Sequence, residues 1–295
     1  MANLYRHITD LATLEREYSP SSCVADLDSL LARYGEASES ARAKFSNLIT
    51  LDYGEDAAER IDFFPAGAGR APLLVFIHGG YWQELSNRDV SFPALDCRRH
   101  GIAYAAINYG LAPATTLPQM IERCRKAVAM LYAHAQQLGF DRSAIYLSGS
   151  SAGAHLAAMT MLAPWRSYGV DAAALRGAIL LSGVFELEPL VPTYVNRPLG
   201  LTIDSARRNS PLLQLECAGA PLPPVLLACG EHETSEFKRQ SAEFASALRR
   251  RAVSVELMEI AGRNHFDITF DLADERTVLG RATLSRIARL IGEPS

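Results

Sequence analysis

The chain has 295 residues, of which 48% are hydrophobic, so it is long enough to bury a substantial core in one large domain or two small ones. Its 29 Lys and Arg residues and 33 Asp and Glu residues give a net charge of −4, and the scattered basic residues argue against nucleic acid as a partner. No stretch approaches the roughly 20 apolar residues of a membrane span, and the first residues lack the apolar core of a signal peptide, so we expect a soluble, cytoplasmic protein without a membrane partner.

The cysteines are dispersed, odd in number and free of any Cys-x-x-Cys pair, which argues against both a disulfide framework and a zinc site. We expect reduced thiols within the core at all five positions, Cys23, Cys97, Cys124, Cys217 and Cys229.

The first 45 or so residues are typical of a helical extension. Leu27, Leu30, Leu31 and Tyr34 recur at helical spacing, and the segment 18–22, "YSPSS", breaks the region in two. We predict that residues 1–45 form an N-terminal helical extension, and a candidate cap element, of a single domain over residues 1–295.

Short apolar runs typical of strands follow this extension. From the third run onward, most are separated by segments long enough for a helix, and parallel strands need crossovers of that length. The sequence therefore predicts an α/β fold with a mostly parallel eight-stranded sheet and helices on both faces. The predicted strands are Leu48–Tyr53, Arg60–Phe64, Leu73–Ile77, Ala103–Ile107, Ala144–Leu147, Ala178–Leu181, Val225–Ala228 and Val253–Glu259, and the clearest predicted helices are Leu117–Leu138, Ser151–Leu162 and Phe237–Arg250.

A distinctive loop follows the third run. The string "HGGYWQ", residues 78–83, places two glycines and then two large aromatic residues directly after a predicted strand. Glycine at such a position lets the backbone approach another group closely, because a side chain there would be in the way. The loop therefore predicts a place where backbone N–H groups meet a ligand.

The fifth run leads into a G-x-S-x-G pattern. The strand-forming "AIYLSG" runs into residues 149–153, "GSSAG", and the helix-forming "AHLAAMTML" follows. In this context the flanking glycines allow a strained turn that lifts the serine hydroxyl out of the sheet at a helix N-terminus. We therefore predict that Ser151 is the nucleophile of a hydrolase.

A serine hydroxyl is a weak nucleophile at neutral pH and needs a histidine base that is itself held by a carboxylate. In hydrolases with this turn the chain order is serine, acid, histidine. His265 follows the last apolar run, where a loop can carry it to Ser151, whereas His232 lies where the acid belongs. The residues alone leave three acid candidates open, namely Glu231, Glu233 and Glu236.

Acyl transfer builds negative charge on the carbonyl oxygen, which preorganised N–H donors stabilise. One donor is the N–H of the residue after the nucleophile, here Ala152, and the loop after the third strand supplies the others, which we assign to Gly79 and Gly80. Tyr81 and Trp82 then either wall an apolar or aromatic part of the substrate or pack under the loop.

Several strings have no generic catalytic explanation, and they spread over residues 14–268: "EREYSPS", "HGGYWQ", "IYLSGSSAGAHLAAM", "SGVFELEPL", "ARRNSP", "SEFKRQSAEF" and "NHFDI". With them the chain resembles the kynurenine formamidase (arylformamidase) family of α/β-hydrolases. In that family the acid lies just ahead of an "SPEF"-like string, so the resemblance implies Glu233 as the acid, with Glu231 as the runner-up.

The resemblance implies hydrolysis of N-formyl-L-kynurenine in tryptophan degradation, through a formyl-enzyme and without a metal or organic cofactor. Three departures bear on it. The acid is glutamate where the family typically has aspartate, Ser150 stands where histidine is common, and the segment 107–113, "INYGLAP", also differs. The first leaves a carboxylate that can orient His265, whereas the other two bear on the substrate, so we include Ser150 among the candidate substrate-binding residues with Tyr81 and Trp82.

Two other functions are considered. One is a broader carboxylesterase or arylamidase with the same triad, and the other is a non-catalytic binding protein, which is disfavoured because such proteins usually lose a triad member.

The segment 184–201 is expected to reach over the carboxyl edge of the sheet as part of a cap. The sequence indicates that the partner is a small-molecule substrate, and it does not decide between a monomer and a homodimer.

Overall fold

A computed structural model of the protein describes residues 4–67, 69–219 and 221–288, so residues 1–3 of the predicted extension and the last seven of the predicted domain lie outside the described residues. The strands are β1 (Ile49–Asp52), β2 (Arg60–Phe64), β3 (Ala71–Ile77), β4 (Ala103–Ile107), β5 (Phe140–Ser150), β6 (Leu175–Leu181), β7 (Val225–His232) and β8 (Val255–Asn264). The helices are α1 (Leu11–Glu17), α2 (Leu27–Arg42), α3 (Pro93–Arg99), α4 (Leu117–Leu138), α5 (Ala152–Met161), α6 (Asn196–Leu199), α7 (Ile203–Arg208), α8 (Pro211–Gln214), α9 (Ser235–Arg250) and α10 (Val278–Ala288).

The strands form one eight-stranded sheet in the order β1-β2-β4-β3-β5-β6-β7-β8. β2 pairs antiparallel with both β1 and β4, and the remaining neighbours pair in parallel. The predicted mostly parallel α/β sheet is therefore confirmed. Its carboxyl edge gathers the ends of β3, β5, β7 and β8, which is where open α/β sheets place their ligands.

Both faces of the sheet are covered, because side chains alternate along each strand. In β3, Leu73, Val75 and Ile77 belong to a core that also includes α4, α5 and α9, whereas Leu74 and Phe76 belong to a second core with residues of α3 and α10. Strands buried on both faces read as continuous apolar runs, which is why these runs were visible in the sequence.

Five strands, β3, β5, β6, β7 and β8, are longer than predicted, and the last two and β5 differ most. β5 begins at Phe140 rather than Ala144, and β7 and β8 remain paired as far as His232 and Asn264. The added residues are largely polar and partly exposed, so an apolar criterion does not detect them, although the ladder of backbone hydrogen bonds continues. The extra length of β7 and β8 brings residues 233 and 265 to the carboxyl edge.

The N-terminal extension is helical, with the predicted break. Asp10 and Asp26 are the N-caps of α1 and α2, and each side chain accepts a backbone N–H of the first turn. A short 3-10 turn at Pro20–Cys23 separates the two helices. Of the cysteines, Cys97, Cys124 and Cys229 are buried, whereas Cys23 and Cys217 are exposed, so the prediction of five core thiols was wrong for two of them. None of the helices in the described part of the chain is long and apolar enough to cross a membrane.

Candidate active site

Ser151 occupies a strained turn between β5 and α5. Its backbone has φ 56° and ψ −122°, a conformation that side-chain-bearing residues rarely adopt. The flanking glycines permit it: a Cβ at Gly149 would lie 2.4 Å from the carbonyl oxygen of Gly153, and one at Gly153 would lie 2.0 Å from that of Ile77. The turn points Ser151 into a cavity at the carboxyl edge of the sheet, and the serine is 7% exposed.

His265 and Glu233 form a buried pair at the same edge. The imidazole Nδ1 lies 3.0 Å from the Glu233 Oε2, and the two side chains are 4% and 1% exposed. His265 lines the cavity together with Ser151. A histidine held at Nδ1 by a carboxylate presents its other nitrogen outward, as a general base requires.

The second carboxylate oxygen of Glu233 is also saturated. Its Oε1 accepts hydrogen bonds from the Ser182 hydroxyl, at 2.6 Å, and from the backbone N–H of Gly230. Ser182 is fully buried and has a positive φ of 51°, so the end of β6 is distorted where it meets the acid. Sequence reasoning missed Ser182, because a serine after a strand carries no signal of its own.

The other late residues considered for the pair lie elsewhere. Glu231 is exposed and accepts the backbone N–H of Gly262, and His232 is exposed on β7. Glu236 is buried, but its carboxylate pairs with Arg239 and with the Tyr18 hydroxyl. Glu233 is therefore the one of the three acids that contacts His265.

The loop after β3 lies directly against the serine turn. A Cβ at Gly79 would stand 2.9 Å from the Ser150 carbonyl oxygen, and Gly80 has φ +89° with a Cβ position only 2.3 Å from the Glu84 carbonyl oxygen. Both glycines line the cavity beside Ser151. Ala152 is the first residue of α5, so its N–H belongs to the first turn, where N–H groups lack partners within the helix.

Tyr81 and Trp82 follow these glycines, and both have positive φ, 47° and 61°. Tyr81 lines the cavity, and its hydroxyl donates to the backbone carbonyl of Tyr18 at 2.6 Å. Trp82 does not line this cavity: it is fully buried and packs edge-on against His155 with ring centroids 5.1 Å apart. The structure therefore corrects the expectation of a substrate wall at Trp82, because the strained turn directs its indole under the loop.

Two departures from the family pattern, Ser150 and the segment 107–113, occupy different positions. Ser150 lines the cavity, and its Oγ lies 3.2 Å from the hydroxyl of Thr269. The segment 108–110 lies behind the loop instead. The Tyr109 hydroxyl donates to the carbonyls of His78 and Gly79, at 2.9 and 3.2 Å, and its ring stacks on His78 at 4.2 Å. This segment supports the loop rather than lining the cavity.

Two buried histidines flank the site. His78 begins the glycine loop and His155 lies on α5, and burial lowers the pKa of each imidazole to about 4. His78 Nδ1 donates to the carbonyl of Gly79 at 3.0 Å, and His155 Nε2 donates to that of Asn209 at 2.7 Å. Both are therefore neutral structural groups.

The cavity has a volume of about 210 Å³. The serine turn and the glycine loop form its floor, and His265, Phe266 and Thr269 form one side. The N-terminal extension and the segment 184–201 cover it through Pro20, Ser21, Leu27, Leu31, Tyr34, Tyr194 and Val195. Within the described residues, no group of three or more His, Cys, Asp or Glu side chains is arranged to hold a metal ion.

Comparison with known proteins identifies relatives of this chain. The profile of the family described as BD-FAE matches residues 62–167. The kynurenine formamidase of Danio rerio is 33% identical over 287 residues, covering 94% of this chain and 96% of that protein. The kynurenine formamidase of Salmo salar is 33% identical over 273 residues, covering 88% and 91%.

A similar solved structure comes from Silicibacter sp. and is provisionally described as a thioesterase. It is 25% identical, has a TM-score of 0.78, and the alignment covers 92% of this chain and 98% of that one. The fold thus recurs in a protein of known structure over most of the length of this chain.

Proposed function

This chain belongs to the kynurenine formamidase family of α/β-hydrolases and is a hydrolase, and we propose that it cleaves the formyl amide of N-formyl-L-kynurenine to give kynurenine and formate. The observation that carries the proposal is the buried Glu233–His265 pair, which lines one cavity with a serine held in a strained turn. The extent of the similarity to the fish kynurenine formamidases supports the choice of substrate.

In the proposed reaction, His265 takes the proton of the Ser151 hydroxyl as the serine attacks the formyl carbon. Glu233 keeps the imidazole in the required tautomer and stabilises the imidazolium that forms. His265 then returns the proton to the arylamine nitrogen, which leaves as kynurenine. A water molecule, deprotonated by the same histidine, hydrolyses the formyl ester of Ser151 and releases formate.

The oxyanion of each tetrahedral intermediate is assigned to the backbone N–H groups of Gly79, Gly80 and Ala152. The contact of Gly79 with Ser150 and the position of Ala152 at the start of α5 support this assignment. Such donors act without reorganisation, and removing one typically costs about 3–4 kcal/mol of transition-state stabilisation. Ser150 and Tyr81 are assigned to the cavity wall that meets the substrate.

The shape of the cavity is consistent with a small acyl group and a larger aromatic leaving group. The lining beside Ser151 includes the small residues Gly79 and Gly80, whereas the covering side chains are mainly apolar or aromatic, including Leu27, Leu31 and Tyr34. Apolar lining with few polar groups is typical of sites that bind aromatic ligands. The described N-terminal residues 4–45 are proposed to act as the cap of a single hydrolase domain, in a cytoplasmic enzyme.

The experiment that tests the mechanism follows kynurenine and formate separately in the first turnover. If deformylation is slower than acyl transfer, kynurenine appears in a burst stoichiometric with enzyme while formate lags, and mass spectrometry finds one formyl group on the peptide containing Ser151. A formyl group on another residue would exclude the proposed nucleophile. Release of both products by Ser151→Ala at the wild-type rate would exclude it as well.

A broader carboxylesterase or arylamidase is the second candidate. It is favoured by Ser150, which lines the cavity at a position where the family commonly has histidine. Short aryl esters cleaved much faster than the formyl amide, by the same Ser151-dependent route, would support this alternative.

A further inference from the structure

The described lining of the cavity includes an acidic residue but no lysine or arginine. The acidic residue is Glu84, the one carboxylate among the described lining residues. His265 also lines the cavity, but its ring is already paired with Glu233. The rest of the lining is glycine, hydroxyl, amide, aliphatic or aromatic.

Glu84 directly follows the glycine loop, residues 78–83. Its backbone N–H donates to the carbonyl oxygen of Gly80 at 3.0 Å, and its own carbonyl oxygen lies against the Cα of Gly80. The side chain is exposed and forms no hydrogen bond or ion pair with another described residue. Glu84 is therefore an exposed carboxylate without a described partner at the same cavity that Ser151 lines.

The part of the lining that comes from α2 and the segment 184–201 offers no competing cation. It consists of Leu27, Leu31, Tyr34, Tyr194 and Val195. An unpaired carboxylate at the solvent side of an apolar cavity attracts a cationic group and repels an anionic one, and the effect is larger than in open water because part of the surroundings is protein.

We propose that Glu84 forms a subsite for an ammonium group on the leaving-group side of the substrate, so that the cavity selects aryl amides or esters with a cationic tail over those with an anionic tail. This inference rests on the proposed function of the same cavity. N-formyl-L-kynurenine carries both an ammonium and a carboxylate on its side chain, so Glu84 holds the ammonium and the carboxylate is directed toward water.

The test uses two series of substrates with identical tails. One series consists of 2-formamidophenyl ketones and the other of 2-acetoxyphenyl ketones, and in each the side chain ends in a methyl, an ammonium or a carboxylate group. kcat/KM is measured for wild type, Glu84→Gln, Glu84→Lys and the control Glu36→Gln. Glu36 is an exposed carboxylate on α2 that does not line the cavity, so the control makes the same change in net charge.

At low ionic strength, wild type and Glu36→Gln should both prefer the ammonium tail over the carboxylate tail by about two- to fivefold, as expected for a partly exposed ion pair. Glu84→Gln should bring that ratio close to one, Glu84→Lys should reverse it, and added salt should reduce it in wild type. The same ratio in Glu84→Gln as in wild type would overturn the subsite, as would an equal loss in Glu36→Gln.

The two series separate this inference from the proposed function. If only the acetoxy series is cleaved and its tail preference depends on Glu84, the subsite is supported and the formamidase function is wrong. If the formamido series is cleaved without any tail preference, the function is supported and the subsite is wrong.

Discussion

The hydroxyl of Tyr81 donates a hydrogen bond to the backbone carbonyl of Tyr18 at 2.6 Å, which joins the glycine loop to the N-terminal extension. The Tyr18 hydroxyl in turn donates to Glu236 at 2.8 Å, and the preceding Glu17 carbonyl accepts from the Thr234 hydroxyl at 2.6 Å. Thr234 follows Glu233 directly, so one short stretch of the extension contacts both the loop assigned to the oxyanion and the loop that carries the acid.

Tyr81→Phe should therefore weaken both stability and catalysis. The Tyr18 carbonyl loses its donor, which typically costs about 1–3 kcal/mol for a buried group, and the loop of Gly79 and Gly80 loses an anchor. We expect a lower free energy of unfolding in urea and a kcat reduced by about tenfold. The control is Tyr104→Phe, which removes a comparable buried bond to the Val90 carbonyl on the other face of the sheet. Equal losses of kcat in the two variants would contradict this role.

Glu233→Gln should nearly abolish activity while leaving the fold intact. The amide can still accept from Ser182 and Gly230, but it cannot stabilise an imidazolium at His265, and a comparable change in a serine-protease triad lowers kcat by roughly 10⁴-fold. Glu231→Gln, on the neighbouring exposed acid that contacts Gly262, should keep nearly full activity. Comparable kcat values for the two variants would mean that Glu233 is not the acid of the triad.

Ser182→Ala should lower kcat with little change in KM. The variant removes a hydrogen bond to a buried carboxylate, and bonds to charged groups contribute about 1.5–3 kcal/mol, which corresponds to a loss of roughly tenfold to hundredfold in rate. Ser148→Ala is the control, since Ser148 is also buried in the sheet but donates to the Val75 carbonyl. The assignment fails if kcat stays at the wild-type value, or if Ser148→Ala loses as much.

Stability should fall as the pH drops from about 6.5 to about 4, because burial holds the pKa of His78 and His155 at about 4 in the folded protein. Over this range the unfolded chain binds the protons and the folded chain does not, so each histidine contributes a loss of up to about 1.4 kcal/mol per pH unit. Below the folded pKa both states are protonated and this loss ends.

Urea unfolding at several pH values measures the effect, and His155→Gln isolates one histidine. The glutamine amide can replace the donor to the Asn209 carbonyl but does not titrate, so the slope of unfolding free energy against pH should decrease in the variant. Identical slopes for variant and wild type would show that His155 does not remain neutral in the folded protein.

Much of the fold was predictable, because strands buried on both faces leave continuous apolar runs and long crossovers leave helical ones. β2, β4 and α4 have the predicted bounds. The polar ends of β5, β7 and β8 were missed, since they are held by backbone pairing that no side-chain pattern records. Ser151, His265 and the glycine loop could be proposed as site residues from the sequence, because the hydrolase chemistry assigned to them requires particular residues in a particular order.

The contacts that hold the site residues in place could not be predicted from the sequence in the same way. The contacts of Ser182 with Glu233, of Tyr18 with Tyr81 and of Tyr109 with His78 join residues far apart in sequence, and each uses a residue type that is common in cores. The sequence left two positions open for Trp82, a substrate wall or packing under the loop, because spacing alone cannot tell which side of a strained turn a side chain occupies.

The central claim is that this cavity hydrolyses the formyl amide through Ser151. The most direct measurement is steady-state hydrolysis of N-formyl-L-kynurenine beside p-nitrophenyl acetate, with Ser151→Ala as the blank. We expect kcat/KM of about 10⁴ M⁻¹s⁻¹ or more for the formyl substrate, above the value for the ester and abolished in the variant. Weak formamidase activity beside rapid, Ser151-dependent ester cleavage would contradict the substrate assignment, and activity that survives in Ser151→Ala would contradict the site itself.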